Sequence, residues 1–108
     1  MSTAKVHHMI PDSVAADPKH YKVEFENERV RVVRIKYGPH EKSAMHSHPE
    51  LVAVFLTDAH NRFTYPDGKT EEVYLKRGDI MQHEAFEHLP ENIGDQPMEA
   101  VLVELKKK

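Results

Sequence analysis

The chain has 108 residues, 39% of them hydrophobic and 31% charged, with a net charge of −3 when histidine is neutral. That is room for one core, in a composition too apolar for disorder and without the basic stripe that nucleic acid requires, since Lys106-Lys107-Lys108 is the one basic cluster. Cysteine is absent, which rules out a disulfide framework, a thiolate nucleophile and a thiolate metal site, and no apolar run approaches membrane-spanning length.

Residues 1–20, with Pro11 and Pro18 among small and polar residues, read as an N-terminal arm with at most a short turn. They lack the apolar stretch of a signal peptide, so a cytoplasmic location is expected. Strand-like runs follow at Tyr21 to Phe25 and Arg29 to Tyr37; the second alternates Arg31, Val33, Ile35, Tyr37 against Val30, Val32, Arg34, Lys36. "GPHEKS" is a loop and "LVAVFL" a short buried strand. "DAHN" turns into "RFTY", "PDGK" turns into "TEEVYL", and "KRGD" turns into "DIMQH". "ENIGDQP" is a polar loop, and "MEAVLVEL" closes with Met98, Ala100 and Leu102 alternating against Val101, Val103 and Leu105. Seven or eight short strands with frequent turns, and no amphipathic helix, predict an all-β sandwich or barrel over 21–108.

Histidine is the unusual residue, at nine. In "MHSHPELVAVFL", His46 and His48 stand two apart, so an extended chain puts both on one face, with Glu50, Val52, Val54 and Leu56 continuing the parity. His88 comes after another strand. Imidazole nitrogen suits zinc, iron, nickel, copper and manganese, and three ligands with open positions describe a catalytic metal better than a closed structural one. Two histidines two apart in a loop are also compatible with two solvated side chains.

"G…HSHP" before an apolar strand, a turn with "PDGK", then "GDIMQHEAFEH" and "ENIGD" resemble the two sequence blocks of the cupins, small jelly-roll β-barrels. Gly38, His46 and His48 fit the first block, with a loop two residues longer than usual; Gly78, His88 and Asn92 fit the second. "RFTYPDGKTEEV" and "HLPENIGDQPMEAVLVELK" resemble a narrower group, the short single-domain cupins labelled β-alanine-degradation proteins. The resemblance covers about residues 21 to 106 and implies a cupin jelly-roll β-barrel with His46, His48 and His88 on one divalent transition metal (Fe, Zn, Ni, Mn or Cu, with Fe or Zn favoured).

Two departures stand out. The family's glutamate ligand should fall at 52 or 53, which are Val52 and Ala53, so the site is expected to be a neutral three-histidine one with Val52 facing the metal. Glu50 as a fourth ligand, through a kink at Pro49, stays open. The usual "P-x-G" of the second block is replaced by Glu84 and Phe86, preceded by Gln82-His83, which makes His83 and Glu84 the candidate proton carriers.

Three-histidine iron sites in related cupins are associated with oxygen chemistry such as thiol or diketone dioxygenation. The expected function is therefore a metal-dependent enzyme acting on a small organic molecule, most simply by dioxygenase-type oxidoreductase chemistry, with lyase or isomerase chemistry beside it. The alternative is a binding or sensing module whose metal is structural or absent. Val52, Val54, Phe63, Met45, Met81 and Phe86 are the expected cavity lining; Arg31 and Arg34 are expected to face solvent or a dimer partner, or one of them to pair with the carboxylate of an organic-acid substrate. Asn92 is expected to cap a loop, and Glu91 to orient an imidazole or be solvated. His7, His8, His20, His40 and His60 are expected in solvent, with His40 able to reach the barrel mouth. A homodimer is expected, because a short barrel leaves an open edge that the arm of a partner could cover.

Overall fold

The computed structural model describes residues 10–107; His7 and His8 lie outside them. A single turn of helix, α1 (Ser13–Ala16), precedes nine strands: β1 (Tyr21–Glu26), β2 (Val30–Tyr37), β3 (His46–His48), β4 (Leu51–Phe55), β5 (Ala59–Thr64), β6 (Thr70–Leu75), β7 (Ile80–His83), β8 (Phe86–Asn92) and β9 (Met98–Leu105). They form two sheets, ordered β1-β2-β9-β4-β7 and β3-β8-β5-β6, with every strand pair antiparallel. This is an all-β jelly roll.

Alternation decides which side chains meet between the sheets. In the five-stranded sheet the pairs Val33↔Leu102 and Ile35↔Ala100 from β2 and β9 continue through Leu102↔Ala53 and Ala100↔Phe55 into β4. All of these residues are buried, Val33 and Ala100 completely. The four-stranded sheet contributes a different inner face: His46, His48, Asn61, His88 and Asn92 are buried in it alongside Ala59 and Pro90. Apolar burial on one sheet holds the sandwich together, and the polar inner face of the other carries whatever chemistry the molecule has.

The chain changes sheet at Pro49-Glu50, which belong to neither strand. That corner resets the parity. Leu51, Ala53 and Phe55 point inward and are buried, while Val52 and Val54 point outward and are half-buried. The expectation that Val52 faces a metal and that Val52 and Val54 line the cavity is therefore corrected: a two-residue corner, not a continuous strand, links His48 to Leu51.

Sequence reading also missed β8, because Pro90 and the charged residues around it disguise a strand. β8 pairs with β3 over Phe86 to His88 and with β5 over Leu89 to Asn92. The Pro90 carbonyl still accepts the Ser43 N–H at 2.9 Å. The described part of residues 1–20 is docked on its own barrel: the Ser47 N–H donates to the Pro11 carbonyl at 2.8 Å, and Asp12 forms a parallel bridge with Ser47 while its carboxylate caps α1 through the Val14 N–H.

Candidate metal centre

β3 and β8 run side by side with His46 opposite His88 and His48 opposite Phe86. Alternation then gathers His46, His48 and His88 on one inner face, where they are 0%, 5% and 4% exposed and offer nitrogens all within 4.8 Å of one another. Their rings meet edge to face, with centroids 4.7, 5.0 and 5.1 Å apart.

The hydrogen bonding of the cluster leaves lone pairs unclaimed. His46 Nδ1 donates to the Ala44 carbonyl at 2.9 Å, so its Nε2 carries a lone pair, and that nitrogen sits 3.0 Å from His48 Nε2. Both ring nitrogens of His88 are buried without a hydrogen-bond partner. Burial, and then the neighbouring imidazoles, push His88 down to about 2; burial and then the charge of His48 push His46 down to about 4. Both rings are neutral at neutral pH. Orphaned, buried imidazole nitrogens are rare in folded proteins, and two nitrogens at right angles, each about 2.1 Å from one ion, stand about 3 Å apart. The donor set fits a divalent transition metal, and among the described residues these three form the one such cluster.

Beside it lies a residue that sequence reading passed over. Glu104 is 1% exposed, in the inward row of β9 that also holds Met98, Ala100 and Leu102. Its Oε1 accepts from Arg31 Nε at 2.7 Å, and its Oε2 lies 3.4 Å from His48 Nδ1. The signal was available: a carboxylate standing in parity with three apolar residues is a buried carboxylate. Arg31 also pairs with Asp12. Arg34 points outward to Glu24 and Glu99, at 2.8 and 2.7 Å. Neither arginine is free for a substrate carboxylate: Arg34 takes the surface position that was the alternative for it, and Arg31 is bound inside by Glu104 and Asp12.

The sheets enclose a cavity of about 50 Å³ next to the cluster, walled by His48, His88, Phe63 and Phe86 and, from the opposite sheet, by Leu51, Ala53, Met81, His83 and Leu102. Phe63, Met81 and Phe86 are where they were expected; Met45, like Val52 and Val54, is not among the lining residues. The ring of His83 packs 4.0 Å from that of Phe86, and its Nδ1 donates to the Glu84 carbonyl at 2.8 Å. Glu84 itself is exposed, accepts the Gln82 amide at 3.1 Å and does not line the cavity. Glu50 accepts the same amide at 3.0 Å on the outer face, away from the imidazoles.

The remaining polar residues serve the scaffold. Asn92 donates to the Gly38 and Gln96 carbonyls and accepts from the Gly94 N–H, capping a loop as expected. Glu91 pairs with Arg62 at 3.5 Å. His40 lies on the surface beside Asp95, and His60 stacks on Tyr74. His20 departs from the solvated reading: it is 6% exposed, held between Asp17 at 2.7 Å and Glu41 at 2.9 Å, and stacked on Tyr37.

No family model matches the chain, and no curated protein matches it. Solved structures do. A cupin domain from Bordetella pertussis Tohama I is 26% identical, with a TM-score of 0.75, over 91% of this chain and 97% of that one. A conserved protein with a double-stranded β-helix domain from Klebsiella pneumoniae is 22% identical, with a TM-score of 0.62 and 95% of each chain covered. A cupin family protein with a double-stranded β-helix fold from Methanocaldococcus jannaschii is 18% identical, with a TM-score of 0.64, over 79% of this chain and 77% of that one.

Proposed function

From the premise that the chain is a small single-domain cupin, we propose that it is a metal-dependent enzyme acting on a small organic molecule, with His46, His48 and His88 as the metal ligands. The observation that carries this reading is the convergence of three buried imidazoles, with His46 Nε2 and His48 Nε2 turned to each other at 3.0 Å and both nitrogens of His88 without a partner. A bound divalent transition metal, iron or zinc first, supplies Lewis-acid polarisation there and, if iron, the redox capacity of dioxygenase-type chemistry. The protein's part is to hold three neutral nitrogens in place and keep the space beside them dry with Phe63, Met81 and Phe86.

Proton movement falls to His83. Its Nδ1–H is committed to the Glu84 carbonyl, which leaves Nε2 as the exchanging nitrogen. Glu84 contributes that carbonyl, not its carboxylate. The cavity is far smaller than the several hundred Å³ of a drug-sized site, so the substrate is compact. With no arginine or lysine among the lining residues, an acidic substrate would be held through the charge of the ion. The small, enclosed space equally suits a binding or sensing module, which is the second reading.

The test is elemental analysis of protein purified without chelator. Near-stoichiometric iron or zinc, cut sharply by each of His46→Ala, His48→Ala and His88→Ala, is expected. Full stoichiometric metal in all three variants overturns the ligand assignment. Tight metal without turnover of any small organic acid or thiol under oxygen favours the sensing module.

A homodimer is part of the same proposal. The outer face of the five-stranded sheet presents Phe25, Val32, Val103 and Val52 in one row and Val101, Val54 and Ile80 in the next, with Phe25 and Ile80 largely exposed. An apolar face of this kind supports association between copies.

A further inference from the structure

Glu104 is an expensive residue to bury. Its row of β9 is otherwise apolar, and a carboxylate there costs several kcal/mol unless charges and donors compensate. Arg31 compensates one oxygen, at 2.7 Å. The second oxygen is turned to His48 Nδ1, at 3.4 Å and with both side chains 2% exposed. Arg31 is in turn held by Asp12, whose backbone bridges Ser47, the residue between His46 and His48.

We propose that Glu104 is the positioning residue for His48: it fixes the imidazole as the Nδ1–H tautomer, so that Nε2 presents its lone pair to the metal. This inference rests on the metal reading above. The chemistry is that of a carboxylate behind a ligand histidine, which selects the ring nitrogen that binds and raises its basicity. Arg31 is the permanent donor that keeps Glu104 aimed, and Asp12 closes the chain of ion pairs from the N-terminal segment.

The arrangement makes an asymmetric demand that a merely structural ion pair would not. Arg31 has no acceptor atom. In Glu104→Gln the amide oxygen therefore stays with Arg31, and the NH₂ group is left facing His48 Nδ1. That nitrogen must then accept, which moves the ring proton to Nε2 and blocks the metal-binding lone pair. The conservative shape of the change hides a reversal of hydrogen-bond polarity.

The experiment measures zinc affinity and the ¹⁵N spectra of histidine in the full-length protein, with thermal melting as the check on folding. Wild type loaded with zinc is expected to show His48 protonated at Nδ1 and bound through Nε2. Glu104→Gln is expected to weaken zinc binding about 10- to 100-fold. The double variant Arg31→Met/Glu104→Gln frees the amide to turn its oxygen back to His48 and is expected to recover much of that loss, although it removes an ion pair. Zinc bound by wild type through His48 Nδ1 overturns the proposal even if no variant folds. So does wild-type zinc affinity in a folded Glu104→Gln. If wild type itself takes up no zinc, the metal reading falls first, and Glu104 positions nothing.

Discussion

Two of the three candidate ligands carry their own acid sensitivity. His46 and His88 sit well below the ordinary histidine value of 6.5, chiefly because they are buried. In the metal-free protein the unfolded chain takes up protons at these positions as the pH falls below about 6.5, while the folded chain does not. The folded state therefore keeps this contribution above pH 6.5 and loses it as the pH falls toward about 4, where His46 titrates. The loss is about 1.4 kcal/mol per pH unit for each of the two. Urea unfolding of the metal-free protein is expected to show a clearly lower midpoint at pH 5.5 than at pH 7.5, and His46→Gln is expected to flatten that dependence. An unchanged midpoint would mean that these rings are already hydrated or protonated in the folded state. At this scale the sequence was half legible. His46, His48 and His88 were found through motif and parity, but Glu104 was not: its parity with Met98, Ala100 and Leu102 was legible, yet a charged residue near a chain end reads as solvated until the Leu51↔Glu104 pairing places it inside.

For the strands, the alternating runs read true where the chain stays in one sheet, as in β2 and β9. The reading failed where the chain turns a corner or where a strand includes proline. Pro49-Glu50 shifts the inward row by one, and no periodicity argument run through "HSHPELVAVF" can see that, because the shift is a property of the sandwich and not of the strand. β8 was missed for the complementary reason, since Pro90 donates no ladder bond yet sits where β8 passes from one partner strand to the other. The cap after β8 gives an element-scale prediction. Asn92 is 1% exposed and joins Gly38, Gly94 and Gln96 through three hydrogen bonds. Asn92→Ala is expected to cost about 2–4 kcal/mol by stranding two carbonyls and an N–H, measured by urea unfolding with metal present and absent. Gly78, at φ +89° in the turn before β7, is a milder case. No atom lies within 4 Å of an added Cβ there, so Gly78→Ala is expected to cost only the conformational strain, about 1 kcal/mol.

Considered as a whole molecule, the five-stranded sheet has an outward face that the isolated chain does not use. Val52 pairs with Val103 and Gln82, Val54 with Val101 and Ile80, and all four valines are half-buried. Val52→Glu/Val54→Glu is expected to leave metal content at the wild-type level, since neither side chain points toward the imidazoles. It is also expected to convert a dimer to the 12.5 kDa species in sedimentation at micromolar concentration. A wild type already monomeric under those conditions would remove the dimer from the proposal, and a loss of metal in the variant would return Val52 to the interior.

His46, His48 and His88 all ride on one sheet, on adjacent hydrogen-bonded strands, whereas Leu51, Ala53, Met81, His83 and Glu104 belong to the other. The barrel works like a vise with the whole ligand set mounted on a single jaw. If the jaws part to admit something larger than 50 Å³, the triangle of nitrogens keeps its shape, while the opposing wall and the Glu104 contact move away. Admission of a guest thereby leaves the three nitrogens in register but lets go of the carboxylate behind His48, so that a breathing motion too small to unfold the protein changes what enters and loosens the grip on the ion in one stroke.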